Sequence, residues 1–272
     1  MESLAELVQF KADTYGVRWN RHLAIFITTD EGVILIDPIG QFNPKAPLLV
    51  KECIAQITPQ PVKYLIYSHW GGDHGMGAEA FADTATFVGH ANIVERIKAA
   101  TDPRSPVPTM TFDQPTSITL GGTKIDLYPM DLCPGDDYIA IHHSAQQLAM
   151  IVDEAQAKTI PYGKLHGAPP KVAERLRWAA DTLDFDTLIA GHTGPTWFGT
   201  KDDIAEACQY YVDLDAAVEA ARQTGHADLS PELTAAAKAA LVPKYGTWSR
   251  FEQMIADNID GSIRWNRGEV LR

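Results

Sequence analysis

The sequence predicts an α/β fold, in which a body of alternating short strands and helices is followed by a helical C-terminal segment. Up to residue 190, apolar β-branched runs of strand length are bounded by turn residues. Segments with helical apolar spacing lie between these runs. From Thr200 onward the chain is rich in alanine and shows helix-capping residues. A hydrophobic content of 45% over 272 residues is enough for a sizeable buried core.

Charge and cysteine content exclude some functional classes. The formal net charge is -12, whereas a nucleic-acid surface needs clustered cations. The three cysteines form no CxxC pair, which favours a reducing compartment. Residues 1–7 are acidic where a signal peptide is basic, and no apolar run reaches the roughly 20 residues of a membrane span. We therefore expect a cytoplasmic protein with a small-molecule substrate, no nucleic-acid or membrane partner, and possible homo-oligomerisation.

The first predicted elements lead into a glycine-rich segment. Residues 22–28 and 32–37 are rich in β-branched side chains and flank a Gly-containing hairpin turn. Residues 47–57 have apolar side chains at helical spacing. Residues 62–67 form the next strand, which runs directly into residues 68–75. The glycine-rich segment is therefore predicted to follow the end of a buried strand.

Later segments continue the alternation. We predict strands at residues 86–88, 117–120, 124–128, 138–142, 148–152 and 186–190, and helices at 78–81, 91–99 and 169–183. The Pro-rich residues 101–115 lack apolar periodicity and are predicted to form a loop.

The C-terminal segment is predicted to be entirely helical. Its first helix runs from Thr200 to about Thr224 and begins with a capping box that has Asp in place of Glu. Two more helices are predicted, at residues 230–241 and 248–258. The chain thus divides into a main domain of residues 1–200 and a helical extension of residues 201–272, which we expect to pack on the main domain.

Residues His69 to His74 carry the strongest chemical signal. Within six residues the chain presents two imidazoles and a carboxylate among glycines, directly after a predicted strand. Imidazole and carboxylate are ligands that borderline divalent metals prefer. Two other apolar strands end in Asp153 and His192. Three strands that each deliver a metal-type ligand predict one convergent site, and the alternative is a glycine-rich turn with surface histidines.

This ordered set of motifs resembles the metallo-β-lactamase superfamily over roughly residues 17–215. The family pattern is a strand, then His-x-His-x-Asp-His, a distant His, a bridging Asp and a final His. One metal's ligand set is matched by Asp73, His74, Asp153 and His192. The resemblance implies an αβ/βα sandwich of two mixed β-sheets flanked by helices, with the site at one edge and a helical C-terminal appendage.

Two positions depart from the family pattern. Gly71 replaces the second histidine of the first motif, and Leu132 fits the position of the distant histidine. We therefore expect one metal per chain, Zn²⁺ foremost, with Fe²⁺ or Mn²⁺ as alternatives. A second metal would need substitute ligands, for which Asp131 and Cys133 are the nearest candidates. A metal-free relic of the fold is the remaining alternative.

Further residues are candidates for the pocket or a second site. His166 is a reserve ligand or acid in a glycine-rich loop. His22 precedes the first long strand and either lines the pocket mouth or has a core or surface role. Trp70 is a candidate to fill the space beside Gly71. The aromatic residues Tyr245 and Trp248 either form a wall of the substrate pocket or pack helices together.

The resemblance implies a metal-dependent hydrolase of a small organic substrate, namely an ester, lactone, amide or sulfate ester, acting through a metal-bound water. In that reading Asp73 is both ligand and base, and His69 contacts substrate or water rather than the metal. The alternatives are a metal-dependent lyase, isomerase or oxygenase on the same fold, and a protein that binds a ligand without catalysis. β-Lactamase activity is disfavoured because the first metal's histidine trio is incomplete.

Overall fold

The computed structural model describes residues 5–271, and these fall into two compact units. The first unit comprises the described residues up to 130, together with 135–151 and 191–193. The second comprises residues 131–134, 152–190 and those from 194 onward. Residues 1–4, part of the acidic N-terminal segment interpreted above, lie outside the described residues. Within the described part of the chain, no helix has the length and hydrophobicity needed to cross a bilayer. The predicted domain boundary at residue 200 stays a prediction.

A seven-stranded mixed sheet forms the centre of the first unit. Its strands, in spatial order, are β1 (Glu6–Gln9), β2 (Thr14–Trp19), β3 (His22–Thr28), β4 (Val33–Ile36), β5 (Val62–Ile66), β6 (Thr86–His90) and β7 (Met110–Phe112). Strands β1 to β4 pair antiparallel, whereas β4 to β7 pair parallel. Because the parallel strands β4 and β5 end at the same edge, the residues that follow them meet there.

Helices connect the parallel strands. They are α1 (Ala46–Ile57), the short turn α2 (Gly72–Gly75) and α3 (Ile93–Ala100), with a 3₁₀ turn at Ala78–Phe81. The helix α1 buries Val50, Cys53 and Ile54 in one cluster with Leu35 and Leu65 of the sheet. This apolar layer holds the sheet edge in a fixed position.

A second group of strands in the first unit pairs antiparallel. These strands are β8 (Thr116–Leu120), β9 (Thr123–Pro129), β10 (Ile139–His143) and β11 (Leu148–Met150). All five residues of β10 are buried. The second unit contains α4 (Pro169–Thr182), β12 (Thr187–Ile189), α5 (Lys201–Gln223), α6 (Pro231–Tyr245) and α7 (Phe251–Asn266).

Capping residues begin α5 and α6 as the sequence indicates. The Thr200 hydroxyl accepts the Asp202 N–H, and the Asp203 carboxylate accepts the Thr200 N–H at 2.7 Å. The Ser230 hydroxyl accepts the Leu233 N–H, with Pro231 in the first turn of α6. The capping box with Asp in place of Glu is therefore confirmed.

Three strands were not predicted from the sequence. No strand was predicted before residue 22, yet β1 and β2 extend the sheet, and residues 101–115, predicted to be a loop, contain β7. Strand β7 has three residues at the edge of the sheet, and its Met110 is 42% exposed. Such short edge strands lack the alternation that identifies a half-buried strand. The predicted strand at 148–152 is also shorter, since it ends at Met150.

Candidate metal centre

The backbone of the first unit brings two distant segments to the edge of the large sheet. Directly after β5, the short turn α2 places Asp73 and His74 in its first turn. The segment at residues 191–193 lies beside the start of β3, because the Leu23 N–H donates to the Gly191 carbonyl and the Thr193 N–H donates to the Arg21 carbonyl, both at 2.8 Å. This pairing places His22 and His192 opposite one another.

Four side chains then come together, with three imidazoles around one carboxylate oxygen. We call them the imidazole–carboxylate cluster, which consists of His22, Asp73, His74 and His192. The Asp73 Oδ2 lies 3.3 Å from the His22 Nε2, and it lies 3.5 Å from the Nε2 atoms of His74 and His192. Those last two nitrogens are 3.1 Å apart. Three imidazole Nε2 atoms thus lie within 3.5 Å of one carboxylate oxygen, and those of His22 and His192 with Asp73 form one group of mutually close ligand atoms.

The cluster has the dimensions of a metal site. Ligand atoms bound to a tetrahedral ion at about 2.0–2.1 Å would be about 3.3–3.4 Å apart, close to the 3.1–3.5 Å found here. Nitrogen and carboxylate oxygen form the donor set of zinc, and also suit iron and manganese. The buried Nδ1 of His22 has no hydrogen-bond partner within residues 5–271, so no such bond fixes which nitrogen is protonated. The residues present therefore fit a divalent metal.

Asp37 supports this cluster from inside the protein, and the sequence analysis gave it no role. It follows β4, is 1% exposed, and places its Oδ2 3.3 Å from the His74 Nδ1. A carboxylate behind a ligating histidine orients the ring and raises its basicity. The Ser68 N–H and hydroxyl both donate to Asp37, at 2.9 and 2.6 Å. The available signal was an acid at the end of an apolar strand, as for Asp153.

The His69 ring lies between the His74 ring, with centroids 4.9 Å apart, and the space at Gly71. Its Nδ1 lies 3.1 Å from the Ser68 hydroxyl oxygen, and its ring stacks on Tyr138 with centroids 4.0 Å apart. Because the Ser68 hydroxyl donates to the Asp37 carboxylate, the hydrogen between Ser68 and His69 must belong to His69 Nδ1. In the neutral ring Nε2 is then an acceptor.

The space at Gly71 is bordered by two acceptor atoms. A Cβ at this position would lie 2.6 Å from the His69 Nε2 and 2.9 Å from the Asp73 Oδ1. His69, rather than Trp70, therefore borders this space. The Trp70 indole lies near Gly75 instead, and the Trp70 N–H donates to the buried carboxylate of Asp137 at 2.8 Å.

The other predicted site residues belong to the second unit. Asp153 is half-buried with φ +68°, and its N–H donates to the Ala190 carbonyl at 3.0 Å. Its role as a ligand stays a prediction. His166 contacts the Glu154 carboxylate at 2.6 Å. Asp131 and Cys133 line a cavity of about 460 Å³, and neither joins a cluster of three or more metal-type donors among the described residues.

Tyr245 and Trp248 line a second cavity within the same unit. Their rings contact each other with centroids 4.8 Å apart and planes at 84°. Their function as a wall of the substrate pocket stays a prediction.

The fold and the site identify the family of this chain. The family model of the metallo-β-lactamase superfamily matches residues 17–196, so the chain belongs to that superfamily. This superfamily includes metal-dependent hydrolases, sulfatase and β-lactamases among them, and usually binds zinc. A search of curated proteins found no match.

Solved structures of low sequence identity share the fold. The sec-alkylsulfatase Pisa1 from Pseudomonas sp. has a TM-score of 0.72 at 13% identity, and a double mutant of the same enzyme has 0.75 at 15%. Both matches cover 98% of this chain, which spans 51% of the sulfatase chain. A metallo-β-lactamase from Pontibacter korlensis has a TM-score of 0.64 at 16% identity, over 76% of this chain and 99% of that one. The predicted αβ/βα sandwich of two mixed sheets flanked by helices is confirmed.

Proposed function

We propose that this chain is a metal-dependent hydrolase of a small organic substrate and that it holds one zinc ion tightly. The observation that supports this most directly is the convergence of three imidazole Nε2 atoms on Asp73 Oδ2, at 3.3–3.5 Å. Asp73, His74 and His192 would hold the ion, with His22 as a ligand beyond those predicted from the sequence. Bound zinc supplies a Lewis acid and lowers the pKa of a coordinated water.

The two oxygens of Asp73 would then have different functions. Oδ2 faces the imidazoles, whereas Oδ1 faces the space at Gly71 together with the His69 Nε2. A water molecule or a substrate hydroxyl in that space would donate to one of these acceptors. Asp73 would thus orient the nucleophile and accept its proton, and His69 would contact substrate or water.

Among the substrate classes, sulfate esters are the first that we propose to test. The alkylsulfatase match covers 98% of this chain and therefore includes the C-terminal helices, whereas the Pontibacter β-lactamase match covers 76%. Carboxylic esters, lactones and amides are the other classes in the panel, because the same site chemistry serves each of them.

The test combines metal analysis with hydrolysis assays on the same preparations. Purified protein is loaded with zinc, desalted, analysed by ICP-MS, and assayed with a secondary alkyl sulfate and the other substrate classes. We expect about one zinc per chain and hydrolysis of at least one class. The His74→Ala variant should lose both the bound zinc and the hydrolytic activity, whereas His69→Ala should retain the metal and lose most of its turnover.

Four outcomes would contradict this proposal in different ways. Metal loss in His69→Ala as complete as in His74→Ala would make His69 a ligand. Two zinc ions that survive desalting would replace the mononuclear site with a dinuclear one. A metal-free protein without activity would leave a ligand-binding relic, and native iron or manganese would favour lyase, isomerase or oxygenase chemistry.

A further inference from the structure

A cavity of about 790 Å³ lies in the second unit. No residue of the imidazole–carboxylate cluster is among the residues that line it. It lies between α5 and the turn that joins α6 to α7, and its wall includes Lys158. Small-molecule sites typically occupy about 300–1,000 Å³ and combine an apolar wall with a few polar groups. This cavity has both.

The apolar wall is rigid. Trp248 is half-buried and packs edge-on against Tyr245, which is 1% exposed. The Tyr245 hydroxyl donates to Asp213 at 2.6 Å, which fixes the ring from behind. An indole held in this way offers a flat surface on which a planar apolar group can stack at little entropic cost.

The backbone holds a cation beside this aromatic surface. The Ser249 N–H donates to the Lys158 carbonyl at 2.9 Å, and the Ile160 N–H donates to the Ser249 carbonyl at 3.0 Å. These two bonds form a short parallel bridge that fixes residue 158 next to residues 248 and 249. The lysine is therefore attached at a defined place relative to the indole.

The two lysines that line this cavity differ in their ion pairing. Lys244 also lines the cavity, but its ammonium is paired with Asp213 at 2.7 Å. Lys158 forms no ion pair with any described residue, and Glu206, which lines the same cavity, is not within ion-pair distance of it. Thr247 and Ser249, which each carry a hydroxyl group, also line the cavity. One unpaired ammonium with hydroxyl donors suits an acid group.

We propose that this cavity binds a small organic anion with a flat apolar body. The acid group would contact Lys158 and the hydroxyls of Thr247 and Ser249, and the body would stack on Trp248. The site uses residues of the second unit alone, so it stands independently of the proposed hydrolase activity.

The test measures binding of 2-naphthalenesulfonate, which contains no hydrolysable ester, and of neutral 2-naphthol by titration calorimetry. We expect saturable binding of one sulfonate per chain. Lys158→Gln should weaken the sulfonate about three- to tenfold, the effect of losing one charged contact, and leave naphthol unchanged. Trp248→Leu should weaken both ligands, and Lys98→Gln, on the exposed surface of α3, should weaken neither.

Two results would overturn the proposal. One is the absence of saturable sulfonate binding in the millimolar range. The other is sulfonate binding to Lys158→Gln as tight as to the parent chain. Lys158 is exposed, so its substitution leaves the fold intact and the second result cannot arise from unfolding. Thermal unfolding of Trp248→Leu separates a lost stacking surface from a lost fold.

Discussion

The two units contain buried groups of the same chemical types in opposite arrangements. In the first unit the imidazole–carboxylate cluster directs several acceptor-type atoms at one another, with the Nε2 atoms of His74 and His192 3.1 Å apart. In the second unit the Glu154 carboxylate contacts His166 through Oε1 at 2.6 Å and accepts the Tyr211 hydroxyl through Oε2 at 2.5 Å. We call Glu154, His166 and Tyr211 the glutamate network.

The difference shows how the same groups serve two purposes. In the glutamate network each carboxylate oxygen has a hydrogen-bond partner, which is how buried polar groups are normally stabilised. Burial, and next the Glu154 charge, raise the pKa of Tyr211, so its hydroxyl remains a donor. In the imidazole–carboxylate cluster three imidazole nitrogens lie within 3.5 Å of a single carboxylate oxygen. A cation would complete that cluster, whereas the glutamate network needs none.

The strongest test of this comparison removes a carboxylate or imidazole from the cluster. Asp73→Ala or His192→Ala should abolish tight metal binding while the fold persists, because Asp73 lies in the short turn α2 and His192 follows β12, and neither fills the core. His166→Ala in the glutamate network is the matched control and should keep its metal. ICP-MS after desalting, with circular dichroism on the same samples, measures both effects. Full metal content in either cluster variant would remove those residues from the ligand set.

A weaker effect is expected from His22, the ligand that the structure adds. Its Nε2 lies 3.3 Å from Asp73 Oδ2, like the other members. Because the ligands predicted from the sequence all remain in place, His22→Ala should lower zinc affinity by about 10-fold or more without abolishing binding. Competition with a chromophoric chelator gives the affinity. His143→Gln is the control, since His143 is also buried and bound to a carboxylate, Asp13. An unchanged affinity in His22→Ala would assign His22 to packing.

A structural feature of this protein could be predicted from the sequence when its signal lies in a few adjacent residues. Capping at Thr200 and Ser230 depends on three or four adjacent residues, and the strands with β-branched runs are equally local. The motif around Asp73 and His74 could be recognised for the same reason, since its residues are adjacent in the sequence. Its convergence with His192 was inferred because apolar strands end in both segments, and the resemblance to a family added to that inference.

Features that depend on long-range pairing could not be predicted in this way. His22 enters the cluster because residues 191–193 pair with the start of β3, a contact between segments about 170 residues apart. Likewise, Asp37 reaches His74 because β4 and β5 are parallel neighbours. Edge strands such as β1 and β7 are defined by their partner, not by their own composition.

Within the glutamate network, loss of one hydrogen bond should reduce stability without affecting the metal. Tyr211→Phe leaves Glu154 Oε2 buried and without its donor, which should cost about 1–3 kcal/mol in the free energy of unfolding. Urea denaturation measures this change, and metal content is recorded in parallel. A loss of metal as large as the loss of stability would mean that the two regions are not separate in function. No change in stability would show that water replaces the tyrosine at no cost.

The smallest expected effect is that of replacing Asp213, another carboxylate held by hydrogen bonds, which lies nearer the surface. Burial alone would raise the pKa of Asp213, but hydrogen bonds from Lys244, Tyr245 and Gln209 outweigh it and lower the pKa. A lowered pKa in the folded state stabilises the protein above the unfolded value of about 3.9, and this contribution is lost as the pH falls through the folded value. Asp213→Asn should therefore cost about 1 kcal/mol near pH 7. The difference from the parent chain should persist to about pH 5 and shrink below about pH 4. Urea denaturation of both proteins across this range measures it, with Asp113→Asn as an exposed control. A difference that stays constant down to pH 3 would assign the effect to packing, because loss of charge would then play no part.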